Sequence, residues 1–169
     1  MNIQDLGAIG EFLGFLAVLV TLFYIAVQTR QNVKINEAKE QRALIDQLNH
    51  YFRVMIQPDN LQALRRALQS YRGLDSDDQA RSFVLLAQWV NHFEQARYSH
   101  QAGLLPVPVL IAFQNFTLGF LVTPGGKEFW EDMKNVFGSD VRDCIDSLLA
   151  DEANHPPKIT DTYAWLSNS

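Results

Sequence analysis

The chain has 169 residues, of which 47% are hydrophobic and 20% are charged, and its formal net charge is −5. This composition is typical of a globular protein and excludes an intrinsically disordered one. A nucleic-acid-binding surface needs clustered lysine and arginine, and an acidic chain without a basic stripe argues against such a partner. We therefore expect a globular protein that has no nucleic-acid partner.

The N-terminal segment has the composition of a membrane span. Residues 12–27 carry no charge and belong to a longer apolar stretch that begins near Leu6. As a helix, residues 6–27 would extend roughly 33 Å, which is enough for a hydrocarbon core of about 30 Å. The first ten residues lack lysine and arginine, and the stretch lacks an Ala-x-Ala site, so it differs from a cleavable signal peptide. We predict a retained transmembrane anchor over residues 1–28, with the lipid bilayer as its partner.

A stripe of small residues runs along this predicted helix. Their spacing of 3, 4, 3 and 4 puts them on one face, and the stripe consists of Gly7, Gly10, Gly14, Ala17 and Thr21. Small residues let two membrane helices pack closely, so the stripe predicts an interface in a homo-oligomer or with a membrane protein partner. The alternative is that glycine is simply frequent in membrane helices.

Glu11 lies beside this stripe. A carboxylate facing lipid costs about 2.5–3.5 kcal/mol at the bilayer centre and less near the interface. One hypothesis is a polar intramembrane site formed by a ring of Glu11 side chains in an oligomer. The favoured interpretation is an acid near the outer interface that reaches headgroup water, because Glu11 lies only a turn or two inside the span.

The remainder of the chain predicts helices and shows no sustained alternation typical of strands. We expect an amphipathic helix over 29–57, a helix that Ser76 caps and Gly103 ends, and an uncharged helix over 104–122. This last helix is interpreted as a buried central one, with a re-entrant or membrane-surface element as the alternative. The fold class predicted is all-α: a single N-terminal transmembrane helix followed by a bundle of about five or six helices. The helical domain is predicted over 29–150, with an extended, mobile tail over 151–169.

The sequence shows no pattern that specifies catalysis. His92 and His100 are eight residues apart on one predicted helix, about 12 Å along its axis, and so cannot share a metal ion. Gly125-Gly126-Lys127 lacks the spacing of a phosphate loop and instead indicates a helix start. We therefore predict neither an enzyme nor a metal or cofactor site.

One set of polar residues is a candidate ligand pocket. His92, Glu94, Arg97 and Tyr98 lie on one predicted helix and could line a pocket against Trp130. The favoured interpretation is that Trp89, Phe93 and Trp130 form core and that the polar groups lie at its edge, because aromatic residues at helical spacing usually pack.

Several motifs together carry a family resemblance. The apolar segment ends in Tyr-x-x-x-Gln-x-Arg-Gln-Asn from Tyr24 to Asn32, and later motifs are Phe93-Glu94, Gly103-Leu104-Leu105 and Pro124-Gly125-Gly126 with Phe129-Trp130. This combination, over most of residues 6–149, resembles a widespread group of small uncharacterised bacterial proteins. That group often has an acid after Gly-Leu-Leu, where this chain has Pro106. The resemblance implies one N-terminal span and a helical domain, and it implies no activity.

Location and role follow from these observations as predictions. Arg30, Lys34, Lys39 and Arg42 follow the span, so the positive-inside rule puts the C-terminal domain in the cytoplasm and the N-terminus outside the bacterial inner membrane. We expect a membrane-anchored assembly or scaffold protein that self-associates or docks onto a larger membrane complex. The alternatives are an oligomeric channel with a polar path near Glu11 and a membrane-tethered sensor of a small ligand.

Overall fold

The structure is a computed structural model that describes the backbone of residues 3–167 and the side chains of residues 14–167. Within these residues it contains helices and no strand, so the all-α prediction is confirmed. The α-helices are α1 (Ile3–Met55), α2 (Pro58–Gln69), α3 (Ser76–Gln101), α4 (Val107–Leu121), α5 (Pro124–Met133), α6 (Ser139–Ala150) and α7 (Ile159–Thr162). Short 3-10 turns lie at Lys134–Val136, Glu152–Asn154 and Ala164–Leu166.

The chain divides into two compact units, Met1–Lys39 and Glu40–Ser169. In the first unit, the described side chains from residue 14 to residue 36 are all exposed. In the second unit, Leu44 is the first buried residue, at 2% exposure. The second unit begins at Glu40, whereas the sequence predicts a helical domain over 29–150.

The core of the second unit forms where the apolar faces of its helices meet. Residues 40–55 of α1 contribute Leu44, Tyr51 and Met55, at the helical spacing of seven and four residues. Helix α3 packs against both α2 and α4, and α5 packs against α2 and α4. Each fully buried large apolar side chain contributes about 1.5–3 kcal/mol of burial free energy, so this shared core holds the bundle together.

The ends of α3 show one corrected and one confirmed prediction. The N-cap is Asp75 and not Ser76, because its side chain accepts hydrogen bonds from the backbone N–H groups of Asp77 and Asp78. At the other end, Gly103 has a φ of +74°, a conformation that glycine adopts without strain. The N–H of Gly103 donates to His100 O and that of Leu104 to Ser99 O, which is a Schellman motif.

Helix α4 is only half buried. Its second half lies in the core, where Phe113, Thr117 and Phe120 are among the buried residues. Its first half leaves Val107 and Ile111 about half exposed. The interpretation as a buried central helix is therefore correct for the second half alone.

The prediction of an extended tail is wrong. The residues after Asp151 form two 3-10 turns and α7, and Ile159 and Leu166 are 4% and 1% exposed. The backbone carbonyl of Trp165 also accepts a hydrogen bond from Arg65 Nε on α2, at 2.6 Å. The tail thus contributes to the core of the second unit, because Ile159 and Leu166 are buried there.

Candidate functional site

The N-terminal helix presents an apolar surface without intramolecular cover. The large side chains from Phe15 to Val27 are between 39% and 74% exposed. The hydroxyl of Thr21 donates a hydrogen bond to Ala17 O at 2.8 Å within the helix, so this hydroxyl has a partner even where no water is present. By its length and composition, this is the one helix of the described chain that could cross a membrane alone. Helix α4 and the segment Pro124–Val136 pass the same test only as a pair, bent by 99°.

The described part of the small-residue stripe is open. A Cβ atom added at Gly14 would meet no atom within 4 Å, and Ala17 and Thr21 are exposed. Gly7, Gly10 and Glu11 lie outside the residues whose side chains the structure describes. The interface predicted for the stripe and the site predicted at Glu11 both stay predictions.

The four residues of the predicted ligand pocket do not come together around one cavity. His92 is buried and lines a cleft between α1 and α3. Glu94 lies two residues further along α3, on another face of the helix, where Tyr98 Oη donates to Glu94 Oε1 at 3.4 Å. Arg97 donates to the backbone carbonyl of Asp140 at 3.0 Å, toward the start of α6. Of this set, His92 is the member that lines the cleft between α1 and α3.

Trp130 has a packing role. Its ring is 3% exposed and stacks on Phe137 at a centroid distance of 5.7 Å. Its Nε1 donates to Asp146 Oδ1 at 2.7 Å, and Lys134 Nζ lies 3.1 Å from the other carboxylate oxygen. Burial would raise the pKa of Asp146, but these two contacts outweigh it and hold the pKa below its ordinary value. The interpretation of Trp130 as core agrees with this arrangement.

A polar cleft lies between residues 46–50 of α1 and residues 88–95 of α3, with a volume of about 480 Å³. We call it the polar cleft. Four of its lining residues carry carboxamides: Gln47, Gln88, Asn91 and Gln95. The others are Asp46, His50 and His92.

Two residues that line this cleft have a buried polar atom without a hydrogen-bond partner. His92 is 7% exposed and its Nε2 has no partner, nor does Gln47 Oε1. The hydroxyl of Tyr51 and Nε1 of Trp89 also lack partners, and the rings of both residues lie 5.9 Å from the His92 ring. Leaving a buried polar group unpaired costs about 1–3 kcal/mol, so a cluster of four is an expensive arrangement. Burial also lowers the pKa of His92, which favours the neutral imidazole.

The sequence contains a signal for this cleft that was missed. Gln88, Asn91, His92 and Gln95 have the spacing i, i+3, i+4, i+7, so they form one polar stripe along α3. Such a polar stripe along a helix indicates a hydrated or ligand-binding face. The pairing with Asp46, Gln47 and His50 depends on how α1 packs, which the sequence does not reveal.

An apolar groove lies on the other side of Trp89. It has a volume of about 150 Å³ between α1, α3 and α4, and is lined by Leu48, Phe52, Trp89, Ala112, Phe113 and Phe116. The Phe116 ring lies 4.4 Å from the Trp89 ring and 6.2 Å from Tyr163. Through these aromatic contacts α4 packs against both α3 and the tail.

Comparison of this chain with protein-family models, with curated proteins and with solved structures found no match. The resemblance to small membrane-anchored bacterial proteins therefore stays a prediction. The geometry of the chain itself has to support any functional conclusion.

Proposed function

We propose that this chain is a membrane-anchored assembly protein without catalytic activity. Its N-terminal helix spans the bacterial inner membrane, and the protein self-associates or docks onto a larger membrane complex. The helical domain that begins at Glu40 is the cytoplasmic part of this assembly.

The apolar surface of residues 14–27 carries the proposal. Phe23 is 74% exposed and Val20 is 63% exposed, and their neighbours along the helix are similarly open. Contiguous exposed apolar surface of more than a few hundred Å² marks a membrane or protein interaction site. A helix with apolar side chains all around is stable in lipid, where its backbone groups are satisfied internally.

The small residues supply the reason to expect association. At Gly14 and Ala17 the helix surface has little side-chain volume, and nothing in the described chain occupies the space above Gly14. Lipid tails gain little from contact with such a surface, whereas a second helix gains close packing. A homo-oligomer or a membrane protein partner would fill this space.

The orientation rests on charge. Arg30, Lys34 and Lys39 are exposed after the apolar segment, and basic residues are retained on the cytoplasmic side. In spheroplasts, an externally added protease should leave the helical domain intact until the membrane is permeabilised. Digestion in intact spheroplasts would contradict this orientation.

Association is tested on the full-length protein extracted gently from its own membrane. Native mass spectrometry should show a discrete homo-oligomer or a complex with another membrane protein. We expect the double variant Gly14→Leu/Ala17→Leu to lower the fraction in that complex several-fold, because bulky side chains prevent close helix packing.

The control is Ala26→Leu, which adds the same bulk as Ala17→Leu does, but on the opposite face of the helix. It should leave the complex unchanged. A wild-type monomer that carries no partner would overturn the proposed function, and equal loss in the control and the double variant would overturn the assigned face.

A further inference from the structure

The polar cleft combines open space with buried groups that lack hydrogen bonds. His92 is more than nine-tenths buried, and its unpaired Nε2 belongs to a residue that lines the cleft. Gln47, on the facing helix α1, also lines the cleft and also has an unpaired oxygen. Buried polar groups are nearly always paired in folded proteins, so a molecule in the cleft toward which these two side chains turn would satisfy both.

The chemistry of the lining selects the class of molecule. A carboxamide offers both an N–H donor and an oxygen acceptor, and the cleft has four of them. No lysine or arginine lines it, and Asp46 contributes a negative charge, so phosphates and carboxylates are disfavoured. A hydroxyl group both donates and accepts, and it therefore matches carboxamides and a neutral imidazole equally well.

We infer that the polar cleft is a binding site for a small uncharged molecule rich in hydroxyl groups, of the sugar or polyol class. The volume of about 480 Å³ lies within the usual range of about 300–1,000 Å³ for small-molecule sites. The inference is independent of the proposed assembly function, since the site lies entirely in the helical domain.

The test uses the full-length protein in a zwitterionic detergent that has no sugar headgroup. Glucose, mannose and myo-inositol are titrated separately, and saturation-transfer difference NMR reports binding. The ¹⁵N chemical shifts of the His92 ring nitrogens report whether Nε2 gains a partner. We expect saturable binding of at least one of these compounds, accompanied by a shift at His92.

Substitutions of residues that line the polar cleft test whether the compound binds there. Gln47→Leu and Gln88→Ala should each weaken the affinity about tenfold or more, because each removes hydrogen bonds to the bound molecule. Gln47→Leu replaces an unpaired polar group by an apolar one of similar size, so the fold should persist, which circular dichroism checks. Gln101→Ala, at an exposed position on α3 outside the cleft, should bind like wild type.

Three results would overturn the inference. The first is no saturable binding of any of the three compounds by the wild-type protein, which would mean that water alone fills the cleft. The second is an unchanged affinity in both folded cleft variants. The third is preferential binding of inorganic phosphate or of ethanolamine at the same His92 signals, since either would contradict the uncharged class.

Discussion

Tyr51 shows how a single residue connects packing with an unpaired polar atom. Its side chain is 0% exposed, and its ring lies 5.2 Å from Trp89 and 5.9 Å from His92. Burial raises the pKa of its hydroxyl far above the ordinary value, so the group stays protonated. The ring contributes core packing, while the hydroxyl is buried without a partner.

We expect Tyr51→Phe to raise the free energy of unfolding by about 1 kcal/mol, because it removes an unpaired polar atom and keeps the ring. Urea denaturation of the full-length protein in detergent measures the change. Tyr98→Phe, at a half-exposed position, should change stability by less than about 0.5 kcal/mol. A loss of stability in Tyr51→Phe would contradict the prediction and would mean that the hydroxyl has a bound partner.

His92 makes stability depend on pH. Burial lowers its pKa below the ordinary 6.5, so between these two values the unfolded chain binds a proton that the folded chain does not. Folding stability therefore rises with pH in this interval. The contribution is fully present above about pH 6.5 and is lost as the pH falls through the pKa of the folded state.

We expect the free energy of unfolding to decrease from pH 7 to pH 5, with a smaller decrease in His92→Gln. Urea denaturation at a series of pH values gives both slopes. Identical slopes in the two proteins would show that His92 does not contribute to the dependence.

At the scale of elements, two glycines allow the start of α5 to lie close to α2 and α4. A Cβ atom added at Gly125 would lie 1.7 Å from the backbone oxygen of Ala67 on α2, and one at Gly126 would lie 2.0 Å from that of Phe120 on α4. Thr123 caps this helix start by accepting from Gly126 N at 3.0 Å. The Gly-Gly pair therefore permits close packing at a helix start, and of these two features the sequence predicted the helix start.

We expect Gly125→Ala to lower the free energy of unfolding by about 3 kcal/mol or more, because α2 and α5 must move apart. Gly119→Ala is the matched control: its added Cβ would lie 3.6 Å from its nearest neighbours, an ordinary contact. It should be neutral, or should stabilise α4 slightly through helix propensity. Thermal unfolding of both variants measures the difference, and equal destabilisation would contradict the packing argument.

The loop between α2 and α3 is attached to α5 by charge. The guanidinium of Arg72 contacts Asp132 at 2.6 Å and Glu131 at 3.0 Å. The backbone N–H of Arg72 donates a hydrogen bond to Glu128 at 2.9 Å. The hydrogen bond from Arg72 holds the pKa of Asp132 below its ordinary value. These groups are exposed, so the contacts orient the loop and contribute little stability.

At the scale of the whole molecule, the tail completes the helical domain. Ile159 lies against α4, where a Cβ atom at Gly119 would be 3.6 Å from Ile159 Cβ, and Leu166 is 1% exposed. Both are members of the core cluster of the domain. The domain core therefore depends on the last part of the described chain.

We expect deletion from residue 159 onward to lower the free energy of unfolding by roughly 3 kcal/mol or more, since two buried aliphatic side chains are lost. Leu166→Ala alone should cost about 2–5 kcal/mol through the transfer and cavity terms. Trp165→Ala, at a position that is 42% exposed, is the control and should cost much less. Unchanged stability on deletion, measured by urea denaturation, would show that the tail does not belong to the core.

The sequence by itself determined the helical class, the apolar N-terminal helix and some of the helix ends. These features depend on local periodicity and on Pro and Gly positions, which act within one or two turns of chain. The end of α1 before Pro58 and the stop of α3 at Gly103 are examples.

Only the tertiary structure decided which polar residues meet and where the tail lies. Gln47 and His92 are 45 positions apart in the sequence, and they share a cleft because large side chains such as Tyr51 set how α1 packs on α3. His92 and Glu94 are two positions apart, yet they lie on different faces of α3, because the helix turns by about 100° per residue. The tail contains Pro156-Pro157 and ends in Ser-Asn-Ser, yet Ile159 and Leu166 are buried in the core. Such pairings depend on the packing of distant elements, and local sequence patterns carry little information about that packing.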